Sequence, residues 1–314
     1  MPMLVIYSPE FLNHKTGPYH PERPQRLEAI VKLLQNAAWA NQLTWQLPTS
    51  LQARDPLAWI ERVHQPQYLQ ALQGLAESLR DQERGHLDPD TVISGESYQV
   101  ALLAVNGWLD GVSQTWNTDQ PSFVLARPPG HHALPERGMG FCLLANAAIA
   151  AHYALSLPGV SRVAIFDWDV HHGNGTQACV ESLPNIAYCS LHQSPHYPYT
   201  GATHEQGHHQ NVLNIPLAAG STGADYHQAM AKQVIPFLKA FNPDLLLVSA
   251  GYDAHRDDPL SEILLTPADY AQLTKACLSL TRKTVFGLEG GYDLGGLATS
   301  VKATVATCLG QGMD

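Results

Sequence analysis

The sequence is poor in cysteine and in positive charge, and both shortages limit what the chain can be. Its five cysteines are odd in number and form no CxxC pair. This argues against a disulfide framework or a cysteine zinc site and suits a reducing compartment. With 18 Lys and Arg against 28 Asp and Glu, the formal net charge is −10 at pH 7. Nonspecific nucleic-acid binding needs a basic surface, so we expect no nucleic-acid partner.

Long apolar runs and phosphate-binding motifs are also missing. The N-terminal MPMLVIYSP has no basic start and too short an apolar run for a signal peptide, and no segment reaches the length of a membrane span. We therefore expect a soluble, cytoplasmic protein with no membrane partner. The sequence has no GxGxxG and no GKS/T motif, so nothing supports a nucleotide cofactor.

What the sequence does contain is an alternation of short apolar runs with helical patterns. Near-continuous apolar runs predict strands that are buried on both faces of a parallel sheet. The predicted strands are 4–7, 122–126, 163–166, 186–190, 212–215, 245–249 and 284–288, and the predicted helices are 26–37, 95–116, 146–157, 224–240 and 267–280. The alternation predicts an α/β fold with a parallel sheet. We expect a single domain over residues 1–314, because the candidate chemical residues are spread over 131–292.

Carboxylates and imidazoles follow two of the predicted strands. Asp169 and His171 come after the strand at 163–166 and are two residues apart, so in extended chain their side chains point the same way. Asp253 follows the strand at 245–249. Open α/β sheets place their sites at the carboxyl ends of the strands. Two carboxylates and one imidazole leave a coordination position open for water, as in a catalytic zinc site.

An alternative for Asp169 and His171 is a solvated loop whose carboxylates cap helices. That alternative explains a single Asp better than it explains the whole run DWDVHHGNG. The choice of Asp253 as third ligand depends on the fold, because Asp257 and Asp258 lie close to it in the sequence.

Candidate proton-transfer groups accompany the candidate metal ligands. His131 and His132 follow a Pro-Pro-Gly turn and can act as general base and general acid if a second group orients each of them. Asp167 and Asn174 are candidate acceptors for their Nδ1–H groups. Tyr292 follows two glycines and can donate to a developing oxyanion. The alternatives are a buried structural histidine pair and a tyrosine packed at a turn.

Taken together, these motifs resemble the zinc-dependent histone deacetylase superfamily in its class II-like branch. The resemblance extends from HPERPQRLEAI to LEGGYDL and rests on RPPGHHA, GMGFCLLANAA, DWDVHHGNGTQ, SLHQ, SAGYDAHRDDPL and LEGGYDL. It implies an arginase-like three-layer α/β fold with a central, mostly parallel sheet of about eight strands flanked by helices. It also implies hydrolysis of the amide of acyl-lysine or of another acylated amine.

The resemblance further implies a role for each matched residue. The zinc ligands, for which Fe²⁺ or Co²⁺ are alternative metals, would be Asp169, His171 and Asp253. The catalytic residues would be His131 backed by Asp167, His132 backed by Asn174 as base and then acid, and Tyr292 at the oxyanion. The acyl-lysine tunnel would be lined by Gly140, Phe141, Tyr197, Leu260 and Gly290. A structural potassium ion would be held by Asp167, Ser190 and Leu191 with the backbone of Asp169 and His171, and a second, peripheral ion by carbonyls near Val180, Leu183 and Ile186.

Four positions refine the expected activity. Tyr292 stands where some class II members that are poor deacetylases carry His, so we expect an active enzyme. Asn174 stands where class I members carry Asp. Leu260 stands where the polyamine-selective branch can carry an acidic residue, so a cationic polyamine gains no charge partner there. Tyr197 replaces a usual Phe and leaves the acyl-chain preference open.

The expected substrate is therefore N-acyl-lysine in proteins or peptides, with acetylpolyamines or other small N-acylated amines as the alternative. An arginase-type enzyme would need a two-metal carboxylate set. A module that binds acyl groups without turnover would not need His131, His132 and Tyr292 together. The sequence leaves the physiological substrate and the oligomeric state open.

Overall fold

A parallel sheet forms the centre of the computed structural model, which describes residues 2–312. Over these residues the strands are β1 (Met3–Ile6), β2 (Leu43–Gln46), β3 (Gly85–His86), β4 (Val92–Ile93), β5 (Ser122–Val124), β6 (Val163–Asp167), β7 (Ile186–Gln193), β8 (Val212–Leu217), β9 (Leu245–Ala250) and β10 (Thr284–Leu288). Eight of them pair in parallel in the order β2-β1-β5-β10-β9-β6-β7-β8. The short strands β3 and β4 form a separate antiparallel pair. The predicted parallel sheet of about eight strands is confirmed.

Helices flank this sheet. Within the described chain they are α1 (Gln25–Gln35), α2 (Leu57–Ile60), α3 (Pro66–Ser78), α4 (Ser97–Thr118), α5 (Asn146–Ala154), α6 (Asn174–Val180), α7 (Gly223–Ala229), α8 (Ile235–Phe241), α9 (Pro267–Leu280) and α10 (Leu294–Cys308). Helix α4 packs on α5, while α10 packs on both α1 and α9. None of the helices within residues 2–312 combines the length and the apolar character that a membrane crossing requires.

The predicted helix at 224–240 is interrupted in the structure. A turn of π-helix, Met230–Val234, separates α7 from α8, and the Ile235 N–H bonds to the Met230 carbonyl five residues back. Pro236 explains the interruption, because it has no N–H to donate to a carbonyl four residues earlier. The segment is helical, as predicted, but it is not one regular helix.

The strand order decides where the site lies. Strands β5, β10, β9 and β6 are consecutive neighbours in the sheet, and all residues of these four strands are buried. Because the strands are parallel, the segments that follow them leave the sheet at the same edge. These segments carry His131 and His132, Asp169 and His171, Asp253, and Tyr292. Residues that are up to 161 positions apart in sequence therefore meet.

Candidate active site

The three predicted metal ligands form one buried cluster. Asp169, His171 and Asp253 each offer a ligand atom, and these atoms lie within 4.8 Å of one another. The Nδ1 atom of His171 is 3.1 Å from Asp169 Oδ1 and 3.1 Å from Asp253 Oδ2. Neither Asp257 nor Asp258 belongs to this cluster among the residues that the structure describes. The fold therefore selects Asp253 from the three neighbouring aspartates.

Backbone amides hold both carboxylates in place. Asp169 Oδ2 accepts a hydrogen bond from the Gly290 N–H at 2.8 Å, and Asp253 Oδ1 accepts one from the Val170 N–H at 2.9 Å. A Cβ at Gly290 would collide with Asp253 and Asp169, so only glycine fits there. Two buried carboxylates and one imidazole form an oxygen-and-nitrogen donor set that suits Zn²⁺ or Fe²⁺. The residues present thus fit a divalent metal.

The electrostatics of the cluster also favour a cation between the carboxylates. Burial by itself disfavours ionised Asp169, but the positive charge of His131 and the contacts with His171 outweigh burial and hold the pKa of Asp169 well below its usual range. Burial, and then the charge of Asp169, raises the pKa of Asp253. Two carboxylates this close do not ionise together without a positive charge beside them.

The tandem histidines lie on the other side of this cluster. The Nδ1 atom of His132 is 2.8 Å from Asn174 Oδ1, and His132 lines the cavity above the cluster. The Nδ1 atom of His131 is 3.2 Å from Asp167 Oδ2, and its Nε2 is 3.7 Å from Asp169 Oδ1. Each histidine therefore has the partner that the sequence predicted. The structure places His132 on the cavity wall and His131 between two carboxylates.

Their surroundings give the two histidines opposite protonation. Burial, together with the charges of His131 and His171, lowers the pKa of His132 well below its ordinary value. Burial also acts against a charge on His131, but Asp169 and Asp167 outweigh it and raise the pKa of His131 to about 10. At neutral pH the cavity side of the pair is a free base and the inner side is a cation.

Tyr292 closes the site from the end of β10. Its ring packs edge-on against Phe141 with 5.8 Å between the centroids, and the Arg26 guanidinium lies 5.0 Å from the ring centroid on another side. Burial, followed by the charge of Asp253, raises the pKa of Tyr292 well above its usual value. The phenol therefore stays protonated and remains a hydrogen-bond donor.

A cavity of about 220 Å³ leads to these groups. Its lining residues are Asp90, His132, Gly140, Phe141, His171, His196, Tyr197, Leu260 and Tyr292. Four of the five predicted tunnel residues are among them. The fifth, Gly290, is not among the lining residues, and its N–H donates to Asp169 Oδ2 within the predicted metal-ligand cluster.

Two lining residues were missed by the sequence analysis. Asp90 lies in the turn between β3 and β4, and nothing in its sequence context distinguishes it from other turn aspartates. His196 lies in the loop 194–210, whose lack of periodicity predicts a long loop without indicating which of its residues face the site. The His196 ring is 5.0 Å from the His171 ring.

The tunnel wall at Gly140 and Phe141 has a strained backbone. Gly140 has φ of +55°, and a Cβ there would collide with the His132 ring. Phe141 has φ of +68°, which is costly for an aromatic residue. The Phe141 N–H donates to Thr91 Oγ1 at 3.0 Å, and the ring packs 4.7 Å from His20. These contacts keep the Phe141 ring on the cavity wall.

The HPERP segment, which had no assigned mechanism, supplies a buried ion-pair network behind the site. Glu22 pairs with Arg26 at 3.0 Å and with Arg127 through both carboxylate oxygens, and all three side chains are fully buried. Arg26 also donates to the carbonyls of Glu289 and Gly291. The network ties the start of α1 to the segments that carry His131 and Tyr292.

Glu289 supports the tandem-histidine turn. Its Oε2 accepts hydrogen bonds from the Gly130 N–H at 2.6 Å and the His131 N–H at 3.2 Å, and Oε1 accepts one from Ser249 at 3.1 Å. Glu289 also belongs to a second buried group of possible ligands with His131 and Cys142. Because three donors already occupy its two oxygens, Glu289 serves as a scaffold for the turn.

The residues predicted to hold potassium lie together where the end of β6 pairs with the middle of β7. Asp167 is the register partner of Ser190, and Leu191 follows in β7. Asp167 Oδ2 also accepts a hydrogen bond from the Tyr188 hydroxyl at 3.1 Å. These positions are compatible with a bound monovalent ion.

Comparison with known proteins identifies the family. Residues 20–308 match the histone deacetylase domain. The chain is 35% identical to histone deacetylase 14, chloroplastic, of Arabidopsis thaliana over 98% of this chain and 77% of that protein. It is also 35% identical to the histone deacetylase-like amidohydrolase of Pseudomonas aeruginosa, over 87% of this chain and 73% of the relative.

An uncharacterized protein of Synechocystis is more similar still, with 54% identity over 97% of this chain and 99% of its own length. Among solved structures, the HD domain of HDA15 superposes with a TM-score of 0.91 at 34% identity, covering 100% of this chain and 90% of that one. The fold and site thus define an amide-hydrolysing enzyme on a parallel α/β sheet. The chain belongs to the histone deacetylase family.

Proposed function

We propose that this enzyme hydrolyses the amide of N-acyl-lysine side chains in proteins or peptides, with Zn²⁺ held by Asp169, His171 and Asp253. The observation that carries this proposal is the cavity, which ends on a free histidine base, a phenol donor and the metal-ligand cluster. A cavity of about 220 Å³ between Phe141 and Tyr197 suits an extended alkyl chain. The names of the relatives, histone deacetylases and an amidohydrolase, support the same chemistry.

A divalent metal bound to this donor set would polarise the acyl carbonyl and lower the pKa of a water molecule. The chain's own residues supply the proton transfers. Asn174 Oδ1 can only accept, so His132 carries its proton on Nδ1 and leaves Nε2 as a base. His132 takes the proton of the attacking water and then delivers it to the leaving amine.

His131 contributes charge in this scheme. Flanked by Asp167 and Asp169, it stays an imidazolium beside His132. Its positive charge keeps the pKa of His132 low before the reaction. The same charge makes the doubly protonated pair unfavourable, so His132 gives up its proton readily to the amine.

Tyr292 stabilises the transition state. Its phenol is held on the cavity wall by Phe141 and Arg26, where it donates a hydrogen bond to the oxygen that develops negative charge. Removing one such donor typically lowers kcat by about 10²- to 10³-fold.

A single observation favours the alternative substrate class. Asp90 places a carboxylate on the cavity wall, where the second ammonium of an acetylated polyamine could pair with it. Turnover of acetyl-lysine peptides, longer acyl-lysine peptides and acetylspermidine distinguishes the two classes. Acyl-lysine peptides should be preferred by kcat/KM, and a preference for acetylspermidine that Asp90→Asn abolishes would establish the alternative.

Replacing Tyr292 by Phe tests the proposed mechanism. We expect kcat on a fluorogenic acetyl-lysine substrate to fall by about 10²- to 10³-fold, with one metal ion still bound per chain. Chelation should abolish the activity of the wild-type enzyme. Near-full activity of Tyr292→Phe would show that the phenol has no part in turnover, and activity that survives complete metal removal would exclude the metal-assisted reaction.

A further inference from the structure

Asp258 joins the two loops that build the cavity, although the mechanism above gives it no role. Its side chain is 6% exposed. Asp258 Oδ2 accepts hydrogen bonds from the N–H groups of Tyr292 at 2.6 Å and Asp293 at 3.2 Å. Asp258 Oδ1 accepts a third from the Leu260 N–H at 3.0 Å. One carboxylate thus binds the backbone of the phenol donor and the backbone of the cavity rim.

A carboxylate is needed for both connections at once. It accepts on both oxygens, whereas an amide accepts on one side only and presents N–H donors on the other. If an amide replaced the carboxylate of Asp258, its NH₂ group would face N–H donors on one side. These would be either the Leu260 N–H or the N–H groups of Tyr292 and Asp293. Backbone N–H groups left without an acceptor in a buried site are costly.

We infer that Asp258 is a positioning residue that sets the phenol of Tyr292 relative to the cavity rim at Leu260. The inference rests on the proposed function of Tyr292 as the oxyanion donor. Because β9 and β10 are neighbours, the two loops leave the sheet side by side, and Asp258 is the charged group that bridges them. A shift of about 1 Å in a catalytic group can lower the rate on the order of 10²-fold.

A double-mutant cycle with Tyr292 tests the inference. We expect Asp258→Ala to lower kcat by roughly 10- to 10²-fold while KM changes less than kcat. Asp258→Asn should recover part of this loss, because its single oxygen can still accept from Tyr292 and Asp293. In the Tyr292→Phe background, Asp258→Ala should have little further effect on kcat.

Asp269→Ala is the matched control. Asp269 also accepts a backbone N–H, from Thr266 at 2.8 Å at the start of α9, but it lies away from the cavity wall. Its loss should lower the Tm without lowering kcat. If the effects of Asp258→Ala and Tyr292→Phe on kcat simply multiply, Asp258 acts on kcat independently of Tyr292 and the inference fails. If Asp258→Ala lowers the Tm but leaves kcat unchanged, its role is structural and the inference also fails. Unchanged kcat in Tyr292→Phe itself would instead overturn the proposed function and this inference together.

A second, independent observation concerns the peripheral ion site. The carbonyl oxygens of Val180, Leu183 and Ile186 all lie within hydrogen-bond distance of Asn211 Nδ2, at 3.2, 3.1 and 2.8 Å. Asn211 is 3% exposed. Its Oδ1 atom faces the His209 N–H at 3.4 Å, so the surrounding groups are consistent with an NH₂ group that points to the three carbonyls.

The three carbonyls therefore cannot bind a cation while they accept hydrogen bonds from Asn211. They converge on the amide nitrogen, and a cation that accepted the same three oxygens would have to take the position of that nitrogen. An amide N–H is a weaker positive centre than an ion, but it is covalently attached and loses less hydration free energy when it is buried. The C-terminal end of α6 is thereby joined to the start of β7 and to the segment before β8.

We propose that the Asn211 side chain replaces the peripheral monovalent ion in this protein. The turn between α6 and β7 is then held without potassium. The expected potassium site near Asp167 and Ser190 is separate and is not affected by the proposal. Crystals soaked in thallium(I), an anomalous substitute for potassium, should show no peak among the three carbonyls of the wild-type protein.

Removal of the Asn211 amide should open the peripheral ion site that this side chain fills in the wild-type protein. Asn211→Ala should lose thermal stability in tetramethylammonium chloride and regain part of the loss in potassium chloride at equal ionic strength, with a thallium peak among the carbonyls. A thallium peak there in the wild-type protein would overturn the proposal, and this result is decisive even if Asn211→Ala does not fold. An Asn211→Ala protein that folds but shows neither the potassium effect nor the peak would also count against it.

Discussion

At the scale of single residues, the chemistry of the site depends on what each histidine faces. His132 meets a neutral amide at Asn174, whereas His131 meets two carboxylates. The two imidazoles are adjacent in sequence and their ring centroids are 3.9 Å apart, yet only one is a free base at neutral pH. The neighbouring side chains make this difference, since the histidines themselves are identical.

Introducing a charge beside His132 should shift the pH dependence of the reaction. In Asn174→Asp, a carboxylate next to Nδ1 favours the imidazolium, so the pKa of His132 should rise. Because the base must be unprotonated, the acid limb of the kcat/KM profile should move to higher pH. Asn36→Asp, which adds the same charge on an exposed helix end, should leave the profile unchanged. An unshifted acid limb in Asn174→Asp would mean that His132 is not the base.

At the scale of elements, the buried network of Glu22, Arg26 and Arg127 connects parts of the chain that carry no common motif. Burial alone would raise the pKa of Glu22, but the charge and hydrogen bonds of Arg127 outweigh it and lower the pKa to about 2. Compared with an ordinary value of about 4.5, this difference corresponds to about 3 kcal/mol. The network stabilises the arrangement of α1, the segment after β5 and the segment after β10.

Glu22→Gln should therefore destabilise the protein by roughly 3 to 5 kcal/mol near neutral pH, since it leaves two buried guanidinium groups without a carboxylate. The folded-state pKa of Glu22 is below the unfolded value. Its contribution is thus fully present above about pH 4.5 and is lost as the pH falls toward 2. Urea unfolding of both proteins across this pH range should show that the difference in their free energies of unfolding becomes smaller as the pH falls.

The control for this measurement is an exposed ion pair. Glu96 lies 3.8 Å from Lys15 with both side chains more than half exposed, so Glu96→Gln should change the free energy of unfolding by less than about 1 kcal/mol. A Glu22→Gln effect as small as that of Glu96→Gln would show that the buried network does not stabilise the fold.

At the scale of the whole molecule, the proposed metal site links four neighbouring strands. Its ligands and their supports come from the segments after β6, β9 and β10, and the histidine base comes from the segment after β5. Binding of a ligand to the folded state alone stabilises the whole fold, by about 4 kcal/mol when the free ligand is about 1,000 times its Kd. Metal binding should therefore affect the global unfolding transition.

Removing the metal should lower the Tm by several degrees as well as abolish activity, and Zn²⁺ added back should restore both. Asp253→Ala should show a low Tm that no longer responds to chelator. Asp257→Ala is the matched control, because Asp257 is exposed and lies outside the ligand cluster. A chelator effect on Tm that persists in Asp253→Ala would place the metal elsewhere.

The strands and helices that the sequence predicted are those whose own residues show a clear apolar run or helical spacing. All seven predicted strands are present, because strands buried on both faces are continuously apolar. Strand β2 was missed, since Leu43–Gln46 is a partly exposed edge strand without such a run. The two-residue strands β3 and β4 were missed because they are too short to give a pattern. Helices α2, α3, α6 and α10 were missed as well, and the break before α8 depends on a single proline.

The sequence by itself determined the chemical groups and their local spacing: the Asp-x-His pair, the tandem histidines, and the family to which they belong. It also predicted Asp167 and Asn174 as partners of His131 and His132, although these residues lie 36 and 42 positions away along the chain. Only the tertiary structure decided which of three neighbouring aspartates joins the predicted ligand cluster, that the Gly290 N–H holds Asp169, and that Asp258 and Asn211 bridge separate segments. These contacts join residues far apart in sequence, and such contacts are set by the order of the strands in the sheet.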